Sequence, residues 1–364
     1  MEPLYPASGQ VAYSLLEKNI LEKNLCTSCG ACEATCPTSA LQIVDGKVKR
    51  LYNCNDFIES CQVCHSVCPH SESLLLDSLQ FVSEAPNKSE AFGYFRKIIL
   101  AQSTDPKTRE KSHGGGVVTS LVHYGIENKI FDSAIVSPGG KNDRNRPEAS
   151  VALTANDVFS AIGSKFFQSS VVSAYRDAVV NHGKTRVAVV GLPCHMVALR
   201  KTQAWQHKLS KELKMIIGMF CSGTFSQNPM LEYLALKYKI QPSKIKQMYF
   251  AGKFVVETED GVIQVPIPEI KAYSLNSCKT CMDFSSEVAD ISIGSAHPLK
   301  NTSIVVIRTK RAEEFFDRAV ESGVISIRSI DQEPKLLEHV IKASTTKREK
   351  AHCPIQTRKS PERV

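Results

Sequence analysis

The sequence predicts an α+β chain: a short cysteine-rich metal-binding module, then an α/β domain with a mixed sheet and an inserted β-hairpin. Three observations predict it. Eight of the 13 cysteines crowd into Leu25 to Pro69. From Arg96 onward, short apolar runs alternate with helix-patterned ones. The 364 residues exceed one typical domain, and a polar stretch containing Pro86, Ser83 to Glu90, reads as a linker between the two patterns. The expected units are therefore residues 1–88, residues 89–340 and a basic tail, residues 341–364.

The cysteines justify the first unit. Cys26, Cys29, Cys32 and Cys36 form a C-x2-C-x2-C-x3-C-P run closed by Pro37, and Cys54, Cys61, Cys64 and Cys68 form a second run closed by Pro69. In such spacing three close thiolates hold one iron-sulfur cube and the fourth reaches across to the other. The second run departs from the pattern, because six residues separate Cys54 from Cys61; a loop there lengthens without moving the last three cysteines. The crossed rule assigns Cys26, Cys29, Cys32 and Cys68 to one [4Fe-4S] cluster, and Cys54, Cys61, Cys64 and Cys36 to the other. The segment reads as a bacterial-type 2[4Fe-4S] ferredoxin module that carries single electrons. Structural zinc and a disulfide framework are the competing readings, less well matched by the spacing.

Cysteine-rich composition without a secretory leader points to a reducing, cytoplasmic setting. No run approaches the roughly 18 apolar residues of a membrane span. The charge of +8 is uneven: after Ile341, seven Lys or Arg face Glu349 and Glu362, a net +5. This tail is either a solvated end or a dock for an acidic partner, compatible with peripheral association. One Trp and no aromatic-rich basic face argue against nucleic-acid binding.

Along the chain, Val11 to Asn24 carries apolar residues at helical spacing, and Ser71 to Val82 reads as a helix leaving the second cysteine run. Strands are expected at Lys97–Gln102, Ser133–Ser137, Arg186–Val190, Met215–Phe220, Ile291–Gly294 and Ile304–Arg308. Helices are expected at Val117–Asn128, Ser170–His182, Met196–His207, Met230–Tyr238 and Ala312–Ser322. Gln247–Thr258 and Val262–Ile267 flank Glu259-Asp260-Gly261 and read as the inserted hairpin.

Three stretches of the second unit carry chemistry. Ser112-His113-Gly114-Gly115-Gly116-Val117-Val118-Thr119 places glycines at a helix entrance, where backbone N–H groups can meet a phosphate; a flexible loop is the alternative. Cys194 and Cys221 each follow an apolar strand, and Cys278 and Cys281 form a C-x2-C hook. Together they supply four ligands for a third cluster or a zinc ion, with buried thiols or a redox disulfide as alternatives. Cys353 has no partner in this scheme. Gly163-Ser164-Lys165 has no obvious catalytic partner nearby, so spacing alone leaves Lys165 as a surface charge.

In order, these stretches, with Gly191-Leu192-Pro193-Cys194, Phe220-Cys221-Ser222-Gly223, Asp283-Phe284 and Ala289-Asp290-Ile291-Ser292-Ile293-Gly294, resemble the family of beta subunits of coenzyme F420-reducing hydrogenase over about residues 95 to 310. That family includes F420H2 dehydrogenase input subunits, formate dehydrogenase beta subunits and hydroxymethyl chlorophyll reductases. The resemblance implies an FAD and a [4Fe-4S] cluster on Cys194, Cys221, Cys278 and Cys281. It implies FAD-phosphate contacts at Gly115, Gly116 and Thr119, with Ser112 and Val118 of the same stretch among the cofactor-binding residues. Ser164 and Lys165 become flavin or coenzyme contacts, and Lys165 the catalytic candidate. His195 departs from the Gln that members commonly carry.

Clusters pass electrons singly, whereas F420 exchanges a hydride, and a flavin converts between the two. The expected protein is an FAD-dependent oxidoreductase with coenzyme F420 as substrate and three [4Fe-4S] clusters leading to a partner. That partner is a hydrogenase, a formate, CO or formylmethanofuran dehydrogenase, a membrane dehydrogenase, or a ferredoxin. The alternatives are a polyferredoxin-type bridge without its own substrate and a hydroxymethyl chlorophyll reductase-like enzyme.

Overall fold

The computed structural model describes residues 12–58, 60–112, 114–140 and 145–351. His113, Cys353 and the end of the basic tail lie outside the described residues. The chain begins with α1 (Ala12–Leu16), continued by a wider π turn over Glu17–Leu21. Short α2 (Ala31–Ala34) and α3 (Val63–Ser66) each carry the middle of a cysteine run, and the hairpin β1 (Leu41–Val44) and β2 (Lys47–Arg50) lies between them. Ala12, Leu16, Ile20 and Leu41 pack with Cys32, Cys64 and Cys68 into a small core, so the N-terminal helix serves the cysteines.

Three expectations change here. The helix expected over Ser71 to Val82 is only α4 (Leu75–Leu79), because Leu74 takes a left-handed conformation (φ 55) at its start. The linker is folded: β3 (Asn87–Ser89) pairs with β4 (Gly93–Phe95). Buried Arg308 holds this hairpin, donating through Nη1 to the Phe92 and Tyr94 carbonyls and through Nη2 to Ser285. The two modules also share one core. Cys29, Ala31, Ala34 and Val67 pack with Val171, Val172, Met196 and Leu199 of the second unit. The Val172 N–H donates to the Cys29 carbonyl (2.9 Å) and the Ser170 hydroxyl to the Ser28 carbonyl (3.0 Å).

The second unit is built on an eight-stranded mixed sheet. Its elements in order are β5 (Lys97–Ser103), α5 (Pro106–Lys111), α6 (Val117–Glu127), β6 (Ser133–Val136), β7 (Ser150–Ala152), α7 (Val171–Val180), β8 (Val187–Gly191), α8 (Pro193–Ala204), β9 (Leu213–Met219) and α9 (Gln227–Tyr238). The three strands β10 (Ile245–Phe250), β11 (Phe254–Thr258) and β12 (Gly261–Val265) follow, with α10 (Ile267–Lys271), α11 (Asn276–Thr280), β13 (Ile291–Ser295), β14 (Ser303–Ile307), α12 (Lys310–Glu321), β15 (Ile325–Ser329) and α13 (Pro334–Lys350). Strand order is β15-β5-β14-β13-β9-β8-β6-β7. β6, β8, β9 and β13 run parallel, and β14, β5, β15 and β7 pair antiparallel with their neighbours. The central strands are buried on both faces, which is why they read as unbroken apolar runs.

The inserted hairpin is a three-stranded meander with its own core of Phe225, Met230, Leu234, Phe254 and Val256. The run Gln247–Thr258 breaks at Gly252 (φ +71), so that Phe250 pairs with Phe254. The expected basic tail starts inside α13. Leu336, Val340 and Ser344 form its buried stripe, and Ser344 donates to the Ala91 carbonyl (2.8 Å).

Candidate functional site

In the N-terminal module, the turns of α2 and α3 bring the thiols to two hollows. One is lined by Cys26, Cys29, Cys32 and Cys68, and the other by Cys36, Cys54, Cys61 and Cys64. These are the two crossed sets, each gathered around one space. Gly30, at the N-terminus of α2, needs its left-handed φ of 86 to turn Cys29 and Cys32 inward. Backbone N–H groups already point at sulfur: Ser28 N to Cys26 Sγ and Ala40 N to Cys36 Sγ, both 3.3 Å.

Burial pushes the Cys32 thiol well up, and the neighbouring Cys29, Cys68, Cys26 and Cys64 push it further. Cys68 is raised to about 11, burial again leading, with Lys201 pulling the other way. Thiolates packed this way repel one another, so the arrangement suits a multiply charged metal body that ligates them all.

The third set assembles at the carboxyl edge of the parallel strands, the usual crevice of an open α/β sheet. β8 ends at Gly191, where an added Cβ would meet His195 Nδ1 at 2.8 Å, and Pro193 opens α8 so that Cys194 lies in its first turn. His195 is buried and lowered to about 4 by that burial; its neutral Nδ1 accepts from the Leu192 N–H (3.1 Å). The residue thus caps its own turn. Cys221 follows β9, and its N–H donates to the Phe284 carbonyl (2.8 Å). The Thr224 N–H approaches Cys278 Sγ (3.3 Å), tying the hook to the β9 loop.

Burial raises Cys194 most, and Cys29, Cys221, Cys278 and Cys281 raise it further. The third set therefore lies near enough to the first for Cys29 to act on it. Among the described residues no three His, Cys, Asp or Glu side chains converge as a single metal ion requires.

The same edge receives the glycine loop. Ser103, Ser303 and Ser295 end or begin their strands in neighbouring register. Gly115 lies on them: a side chain there would stand 2.7 Å from the Ala101 carbonyl and 2.9 Å from the Ser303 N. Its N–H donates to Ser303 Oγ (2.9 Å), so this glycine is explained by packing. Gly116 adopts φ 72 and starts α6 with no side-chain cap among the described residues, leaving Val117, Val118 and Thr119 in the first turn with N–H groups aimed outward. Ser112 instead donates to the Thr108 carbonyl (2.7 Å).

Lys165 is half-buried, and burial lowers it to about 8. Its ammonium donates to the carbonyls of Ala161 (3.2 Å), Ile162 (3.0 Å) and Gly163 (3.0 Å). This loop follows a 3-10 turn, Ala155–Ala161, whose Phe159 packs on His123 of α6 (5.2 Å between ring centres). Farther on, Ser169 Oγ meets Ser137 Oγ at the end of β6 (3.0 Å), and Gln168 Nε2 donates to the Cys26 carbonyl (3.3 Å). Residues 159–170 thus run from α6 to the first thiol set.

Sequence reasoning missed two lysines beside the thiols, Lys201 buried and Lys347 half-buried. Lys201 of α8 donates to the carbonyls of Cys68 (2.8 Å) and Ser71 (2.7 Å). Lys347 of α13 donates to those of Cys221 (2.8 Å) and Asp283 (2.6 Å). Lys347 continues the stripe Leu336, Val340, Ser344, and that periodicity is the signal that could have found it.

Three stretches match known families: residues 98–176 and 184–333 match the N-terminal and C-terminal parts of the coenzyme F420 hydrogenase/dehydrogenase beta subunit, and residues 20–42 match a 4Fe-4S binding domain. The chain is 30% identical over 271 residues to the coenzyme F420 hydrogenase subunit beta of Methanothermobacter thermautotrophicus, covering 73% of this chain and 96% of the relative. It is 30% identical over 307 residues to a subunit of the F(420)H(2) dehydrogenase of Methanosarcina mazei, covering 82% of this chain and 83% of the relative. A chain of the F420-reducing [NiFe] hydrogenase complex from Methanosarcina barkeri superposes with a TM-score of 0.70 at 29% identity, over 73% of this chain and 92% of that one. No described helix is long and apolar enough to cross a membrane. The protein belongs to the family of coenzyme F420 hydrogenase/dehydrogenase beta subunits and joins to that fold an N-terminal 4Fe-4S binding domain.

Proposed function

We propose that this chain is an FAD-dependent F420 oxidoreductase subunit that relays electrons through three [4Fe-4S] clusters to a partner redox protein. The observation that carries the reading is the serial proximity of the three thiol sets. Cys29 of the first set raises the Cys194 thiol of the third, and Cys64 of the second raises Cys32 of the first, with Cys32 and Cys64 packed in one small core. A bound flavin would supply the exchange between hydride and single-electron transfer.

The chain's own residues supply position. The open first turn of α6, with Val118 and Thr119, offers N–H groups and a favourable helix dipole to a phosphate. Ser112 and Gly115 support the loop that aims this turn. Ser164 and Lys165 lie on the segment between α6 and the first thiol set, and the Lys165 ammonium is the candidate contact for the anionic coenzyme. Cys194, Cys221, Cys278 and Cys281 hold the cluster next to the sheet edge. At the far end, exposed Leu51, Tyr52 and Phe57 flank Cys54 in the chain, a surface suited to electron exchange with another protein.

The test is cofactor analysis of anaerobically purified protein followed by addition of F420H2. About twelve irons per chain, extractable FAD and bleaching of the flavin by F420H2 are expected. Iron near eight with zinc present would replace the third cluster by a zinc site, and absence of flavin would leave a pure electron bridge.

A further inference from the structure

We infer that Lys201 and Lys347 are fixed cations that set the reduction potentials of the two inner clusters, one lysine to each. The inference rests on the three-cluster reading above. Lys201 is fully buried on α8, and its ammonium is surrounded by acceptors: the Cys68 carbonyl (2.8 Å), the Ser71 carbonyl (2.7 Å) and Ser71 Oγ (3.2 Å). Three acceptors around one nitrogen match the three N–H donors of a charged lysine. Lys347 reaches in from α13, and its contacts are the carbonyls of Cys221 and Asp283. The Asp283 carboxylate accepts from the Glu287 N–H (3.1 Å), while Arg348, next in the chain, pairs with Glu287.

Each lysine holds the backbone of a ligand cysteine, and each belongs to a different set. Lys201 holds the Cys68 carbonyl of the first set, and Lys347 the Cys221 carbonyl of the third. Neither hollow of the N-terminal module is lined by a lysine or arginine, so Lys201 reaches the first set from behind, through the Cys68 backbone. Reduction adds one negative charge to a cluster, and a cation held a few ångströms away in a poorly screened interior favours that charge. A buried lysine without a carboxylate on its own nitrogen is expensive to keep, which argues that the charge itself is used.

The experiment is an EPR-monitored redox titration of the full-length holoprotein, compared with Lys201→Gln, Lys347→Gln and the double variant. Glutamine keeps a donor for the carbonyls and removes the charge. Each single variant is expected to lower one of three midpoints, a different one in each, by an equilibrium shift of about tenfold, equal to about 59 mV for one electron. The double variant lowers both, and the remaining midpoint is the internal control. Full iron with unmoved midpoints overturns the inference, as does loss of a cluster in a Gln variant, which would make that lysine a structural staple. Fewer than three clusters in the unaltered protein would instead overturn the cluster reading.

Discussion

In the N-terminal module, Cys26, Cys29 and Cys32, and likewise Cys61 and Cys64, meet because short turns set them three residues apart, while Cys36, Cys54 and Cys68 join them from elsewhere in the same short segment. In the α/β domain, Cys194, Cys221, Cys278 and Cys281 meet only because the carboxyl ends of β8 and β9 and the loop before β13 share one edge of a sheet. The first arrangement is written into local spacing; the second is a product of the whole fold. Yet neither region stands alone, since Cys29, Ala31, Ala34 and Val67 complete the core around α7 and α8. The local site borrows its support from the distributed one, and the distributed one borrows its packing from the local one.

The largest expected effect breaks that partnership. A chain starting at Glu90 would expose Val171, Val172 and Leu199 and strand the Lys201 ammonium without its Cys68 and Ser71 acceptors. Each acceptor lost leaves a penalty of about 1–3 kcal/mol, added to the lost apolar burial, against a total stability of about 5–15 kcal/mol. We expect no soluble folded product, measured by soluble yield and far-UV circular dichroism. A stable, flavin-binding fragment would mean that the modules are independent, as the polar 83–90 stretch implies.

A smaller effect should separate the two regions. Asp290 is fully buried and accepts from Arg200 (3.0 Å), Arg311 (2.7 Å), Thr309 Oγ1 (2.9 Å) and the Ile216 N–H (2.8 Å). Burial acts to raise its pKa, but Arg200 and Arg311 overcome this and hold it at about 2, below the ordinary 3.8. Its stability contribution is present above the ordinary value and is lost as pH falls from there through about 2. Asp290→Asn leaves two arginines without their anion and should cost about 3–5 kcal/mol at neutral pH, read as a lower urea midpoint. It should also flatten the acid limb between pH 4 and 2. Because Asp290 anchors the chain after the Cys278–Cys281 hook, iron loss should begin with the third set. Equal loss from all three sets would show that the knot supports both regions alike.

The same contrast explains what was legible. The crossed cysteine sets, the apolar strands and the α12 stripe of Ala312, Phe315, Phe316 and Ala319 were legible because each depends on spacing within one segment. The folded linker was not, because Ser83 to Glu90 is polar and the hairpin it enters is held at Phe92 and Tyr94 by Arg308, more than 200 residues away. The break at Gly252 was hidden by β-type alternation on both sides, and the tail by its charge, since the buried stripe of α13 has only one residue per turn. Gly115 reads as a phosphate contact from its neighbours in sequence, whereas its closest constraint is the sheet beneath it.

The smallest predicted effect concerns Lys165, where local geometry and proposed role compete. Three carbonyls already engage its ammonium, and burial lowers its pKa to about 8 from an ordinary 10.5. The folded state therefore binds fewer protons than the unfolded one between these values, so this group makes stability rise, not fall, as pH increases across that window. Coenzyme binding should move the opposite way, because the cation that would meet an anionic ligand is lost above about pH 8. Lys165→Ala is expected to raise the KM for F420 about tenfold, roughly 1.4 kcal/mol, near the lower end for a hydrogen bond to a charged group. Iron and FAD content should not change. The decisive reading is the pH profile: in the unaltered protein KM should climb above about pH 8, and in the alanine variant it should stay high and flat. If both proteins give the same KM at every pH, Lys165 is only the clasp of the Ala161–Gly163 loop, and the coenzyme's anionic groups are met elsewhere.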